Sequence, residues 1–112
     1  QEANKVSLLV SGTASLDETG ETVCVGDLEG QARRMLLNVE ALLQAQGAGF
    51  SDVVSAITYV KYPQDAPKLQ AIFQDAGYVG FPNVLVAAEV CRPELLCETE
   101  LLAVLPADRG RP

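Results

Sequence analysis

The chain has 112 residues, enough for one domain with a real core, and 48% of them are apolar, as in globular proteins. Its net charge is −7, a poor match to the phosphates of nucleic acids or anionic membranes, which call for a basic footprint. It has no histidine. That removes Ser-His and Cys-His catalysis and leaves acid–base chemistry to carboxylates, cysteine, tyrosine, lysine or water.

Taken in order, Lys5 to Val10 alternates weakly and predicts a strand. Ser11 to Ser15 holds only small residues, which let a backbone approach a ligand or another subunit closely. Thr22 to Val25 predicts a second short strand. Asp27 is a good N-cap, and after it Leu28, Ala32, Met35, Val39 and Leu43 recur at helical spacing, up to a glycine stop near Gly47. Asp52 to Tyr62 is β-branched and aromatic and predicts a strand closed by Pro63. Asp65 can cap a second helix, with Pro67 in its first turn and Gly77 at its end. Val84 to Val90 and Glu98 to Leu105 predict two more strands, and the tail 106–112 should fray.

The expected order is β-β-α-β-α-β-β over a single domain, residues 1–105. This α/β class puts two one-stripe helices on one face of a mixed sheet. Val84 to Val90 has almost no polar face, so its far side should also be covered. No third helix is predicted for that task, which implies a partner surface.

Three cysteines, Cys24, Cys91 and Cys97, are not spaced as a zinc site, so neither a metal nor a disulfide framework is expected. A reduced, cytoplasmic protein is the simplest expectation. No apolar run is long enough to span a bilayer. The chain starts at Gln1 rather than Met, which is read as a trimmed or processed N-terminus, with or without further sequence upstream.

The chemistry concentrates between Cys91 and Glu100. Glu98 and Glu100 are two apart, so on a strand they share a face, as either a site or a solvated surface. A general acid needs a proton at working pH, which an apolar, partly closed site favours. Cys91 is by default a small buried hydrophobe, and a turn brings it toward the strand of Glu98. Gly12, Thr13, Ala14 and Ser15 form either a ligand-facing floor or a strand end packed on a neighbour. Arg92 can grip a substrate carboxylate or neutralise Glu94 on a turn. Tyr59, Tyr62 and Tyr78 are candidate walls, although a lone tyrosine is more often a packing residue.

Val10-Ser11-Gly12-Thr13-Ala14-Ser15, Asn38-Val39-Glu40-Ala41-Leu42-Leu43, Asp52-Val53-Val54 and Glu98-Thr99-Glu100 together resemble the Rid/YjgF-like proteins. The resemblance covers nearly the whole chain. It implies a chorismate-mutase-like fold and a trimer with small-molecule clefts between subunits. The deaminase members carry an arginine where Phe81-Pro82-Asn83-Val84 puts a valine. The stretch Val90 to Glu100 is similar to the end of the second half of chorismatases, which look like two Rid-like halves in one chain. That resemblance implies cleavage of chorismate to pyruvate and a hydroxybenzoate-type product or a dihydroxydienoate. Glu98 would be the catalytic acid, Cys91 would mark the branch making 3-hydroxybenzoate, and no cofactor would be required. It also implies either a homotrimer or pairing with a second Rid-like half. Thr99 stands where that family usually has an aliphatic residue.

Overall fold

The computed structural model describes residues 5–89 and 92–106. Cys91, and the predicted tail beyond Pro106, lie outside the described residues. The elements are β1 (Lys5–Thr13), α1 (Leu28–Gln44), β2 (Val53–Val60), α2 (Ala66–Ala76), β3 (Asn83–Ala87) and β4 (Cys97–Pro106). The strands form one sheet in the order β1-β4-β2-β3. β4 runs antiparallel to both β1 and β2, and β2 runs parallel to β3.

Period-two alternation sorts each strand into two faces. On β4, Cys97, Thr99, Leu101, Ala103 and Leu105 are buried, while Glu98, Glu100, Leu102 and Val104 are only half-buried. The buried set packs in one core with the α1 stripe (Ala32, Met35, Val39, Leu43) and with Leu69, Ile72 and Phe73 of α2. Both helices therefore cover the same side of the sheet, as the sequence predicts. Among the described residues the other side is left open. Leu9 of β1 is 74% exposed there and Val84 of β3 is 57% exposed.

Helix ends follow local chemistry. Asp27 caps α1 by accepting a hydrogen bond from Gly30 N at 3.1 Å. Gly77 closes α2 at φ +85°, a left-handed conformation that glycine adopts without strain. Asp65 departs from expectation. It precedes α2, but its side chain makes no capping bond. A 3-10 turn over Pro63–Asp65 leads straight into the helix, so Asp65 already has helical φ and ψ and cannot reach back as an extended N-cap would.

The predicted strand at Thr22–Val25 is also corrected. Only one bridge, Leu16 with Thr22, forms there. Cys24 at φ +60° and Gly26 at φ +80° break the extended run. The observed order among the described residues is β-α-β-α-β-β. No helix among them is long and apolar enough to cross a membrane.

Candidate functional site

Glu98 lies on the open face of β4, opposite Tyr59 of β2 in the antiparallel register. Its carboxylate reaches the other way, toward β1, and rests over Gly12. A Cβ at Gly12 would collide with Glu98 Oε2. Leu8 and Val10 pack toward the core, so strict alternation would turn Gly12 to the helix side as well. A register shift between Val10 and Thr13 re-phases the strand and turns Gly12 outward beneath Glu98. This close approach explains the glycine better than turn geometry would.

The rest of the predicted floor makes bonds within the scaffold. Thr13 Oγ1 donates to Ser11 O at 2.9 Å. Ser15 is fully buried and donates to Val23 O at 2.8 Å. The carbonyl of Ala14 accepts from Asn38 Nδ2 at 2.9 Å. Leu16 O accepts from both Asn38 and Arg34 of α1. The structure thus brings Gly12 to Glu98, bonds Thr13 back within β1, and uses Ala14 and Ser15 to hold the chain after β1.

The turn that precedes β4 is tied down from three sides. Gln31 of α1 is fully buried; its Nε2 donates to Glu94 O at 2.9 Å and its Oε1 accepts from Leu96 N at 2.8 Å. Lys61 donates to Pro93 O at 2.6 Å. Thr22 donates to Glu94 Oε2 at 3.0 Å, and Arg92 Nη1 lies 3.2 Å from Thr22 Oγ1. Arg92 is thereby placed beside Glu94. Glu94's own backbone N–H and the Thr22 hydroxyl hold its carboxyl below the usual carboxylate range, helped by Arg92 and Lys61.

Beneath the two glutamates, on the helix side, runs a buried hydroxyl chain. Thr58 donates to Asn83 Oδ1 at 2.8 Å and lies 3.0 Å from Thr99 Oγ1, which is 3.1 Å from the Tyr78 hydroxyl. Thr58 gives its one proton to Asn83, Thr99 directs its own between Thr58 Oγ1 and Ile57 O at 3.3 Å, and Tyr78 therefore donates to Thr99. This gives Thr99 a structural role in place of an aliphatic side chain. Tyr78 is buried against Phe50, Phe73 and Phe81 in edge-to-face contacts, and burial raises its phenol above the usual value. Of the three candidate wall tyrosines, Tyr78 is core. Tyr62 is exposed, with the Lys61 ammonium 5.5 Å from its ring. Tyr59 remains at the glutamates, with its hydroxyl 3.4 Å from Glu100 Oε1.

Glu100 also borders a shallow depression of about 290 Å³ on the open face, walled by Leu9, Ile57, Pro82, Val84 and Leu102. Cys97 is fully buried on the opposite face, and its thiol is pushed up to about 12, first by burial and then by Asp65. Such a thiol is inert, as its alternation away from Glu98 predicts.

Known proteins of the same kind are readily found. The family model described as Endoribonuclease L-PSP matches residues 3–105. A RutC family protein of Pyrococcus abyssi is 35% identical over 100 residues, covering 86% of this chain and 76% of its own. The crystal structure of YyfB, a Rid-family protein of Yersinia pestis, superposes with a TM-score of 0.77 at 28% identity, over 94% of this chain and 83% of that one. A 3-hydroxybenzoate synthase of Streptomyces hygroscopicus is 31% identical over 102 residues, which cover 83% of this chain but 30% of the synthase.

Proposed function

This chain belongs to the Endoribonuclease L-PSP family, the Rid/YjgF proteins, and we propose that within it the protein is a chorismatase-type enzyme that cleaves the enolpyruvyl ether of chorismate. The observation that carries this reading is the Glu98 carboxylate, laid over Gly12 on a sheet face that no helix among the described residues covers. The partial likeness to a 3-hydroxybenzoate synthase supports it.

In the proposed reaction, protonated Glu98 gives its proton to the terminal methylene of the enolpyruvyl group. A C–H bond forms as the Glu98 O–H breaks, and the positive charge is left on the ether carbon. Water adds there and returns a proton to the Glu98 carboxylate. The hemiketal then breaks its bond to the ring oxygen, which takes up the remaining hydroxyl proton, and pyruvate leaves. This hydrolysis leaves a dihydroxydienoate; in the branch that makes 3-hydroxybenzoate, where Cys91 would steer the outcome, the ring also loses one water, so no net water is consumed. Every step is a proton transfer, an addition or an elimination, none of which requires a metal or an organic cofactor. Chorismate's carboxylates need cations, and Arg92 on the turn before β4 would have to turn from Thr22 and Glu94 to grip one.

The open face, with exposed Leu9 and Val84, would be completed by two further copies in a trimer or by a second Rid-like half. RNA cleavage, which the family description names, fits the chain less well. A net charge of −7 and two glutamates on the open face repel a polyanion.

The test is direct. Purified protein incubated with chorismate should release pyruvate, and light scattering should show an assembly larger than one chain. No pyruvate would overturn the enzymatic reading. A second reading, binding of a small metabolite without turnover, is favoured by the apolar depression at Val84. It predicts a rise in melting temperature with chorismate or another small acid, and no pyruvate.

A further inference from the structure

The open face carries two carboxylates on one strand, and the geometry treats them differently. Glu98 leans toward β1 and lies over Gly12. Glu100 stands opposite Ile57, and the Tyr59 hydroxyl reaches it diagonally at 3.4 Å. Such a diagonal is within the span of an aromatic side chain across an antiparallel pair. From β3, Val86 is the residue level with Tyr59, and from β1 the neighbouring stretch is Ser11 to Thr13. Neither brings a titratable group beside the phenol. Lys61, just past β2, is held on Pro93 O at 2.6 Å, and Lys5 sits at the far end of the face opposite Pro106. Among the described residues Tyr59 therefore faces Glu98 and Glu100 as its charged neighbours. Partial burial, then Glu100, then Glu98 hold its phenol above the usual value, so at neutral pH it is a donor.

We propose that Tyr59 is a positioning residue that commits the two glutamates to unequal roles. It tethers Glu100 on the β2 side, which leaves Glu98 as the carboxyl free to meet a substrate over Gly12. This rests on the chorismatase-type reading. It adds a division of labour that the spacing of the glutamates alone does not give.

Pyruvate release and tyrosine titration test it together. Tyr59→Phe keeps the ring and removes the tether. Its kcat should fall about tenfold, the size of one lost hydrogen bond to a charged group, with KM unchanged within about twofold. Glu100→Gln should lower kcat similarly, and the double variant should be no worse than Glu100→Gln alone. In the phenolate absorbance titration, Glu100→Gln should move one tyrosine's ionisation to lower pH, and Tyr59→Phe should delete that transition. If Tyr59→Phe does not fold, Glu100→Gln carries both readouts. An active wild type whose Tyr59→Phe variant changes only KM, or changes nothing, would overturn the positioning role while leaving the reaction standing. A wild type that releases no pyruvate would overturn the reaction and this role with it.

Discussion

The two faces of β4 are built to different ends. Toward the helices, Cys97, Thr99, Leu101, Ala103 and Leu105 are buried without exception, and the hydroxyls of Thr58, Thr99 and Tyr78 satisfy one another. Toward the open side, the same strand presents Glu98, Glu100, Leu102 and Val104, half-buried and without helical cover. One face stabilises the fold; the other is free to carry chemistry because the core does not depend on it. Mutations should separate the two cleanly.

The largest effect belongs to the covered face. Phe73 is 3% exposed and its ring centroid lies 5.2 Å from that of Tyr78. Phe73→Ala should cost about 3–5 kcal/mol in urea unfolding, from lost transfer free energy and the cavity left behind. Next comes the joint between the faces. Gln31→Leu leaves Leu96 N and Glu94 O without their buried partner. It should cost about 2 kcal/mol by the same measurement.

On the open face the effects should fall on turnover instead. Gly12→Ala meets only the far end of the Glu98 side chain, which can swing away. Stability should change by no more than about 0.5 kcal/mol. Pyruvate release should fall about 100-fold, because the displaced carboxyl misses its geometry. A large loss of stability with activity intact would erase the distinction between the faces.

The smallest effect is a pH dependence at the turn. Glu94 has its folded-state pKa below the ordinary glutamate value. Its contribution is fully present above that value and is lost as pH falls through the lower, folded one. The melting temperatures of wild type and Glu94→Gln should therefore converge on acidification below about 4.5. A gap that widens in acid would contradict the assignment.

Much of this fold is legible in the sequence. The α1 stripe, its Asp27 cap and the alternation of β4 are local signals, and local sterics and burial decide them. The second strand is not legible, because Thr22 to Val25 has strand-like residues while the positive φ at Cys24 depends on what surrounds it. The pairing of Gly12 with Glu98 is half-legible. Both residues stand out as candidates, but the register shift that joins them belongs to the β1–β4 ladder. Tyr59 appears only as one of three possible walls, because its place opposite Glu98 follows from strand register, which spacing along one chain does not encode.

The most direct measurement is the rate of pyruvate release from chorismate by Glu98→Gln, beside wild type, with both unfolding curves recorded. Unchanged stability with a loss of about 10²–10⁴ in rate is what a positioned general acid on the open face predicts. Release by the variant at the wild-type rate would contradict it.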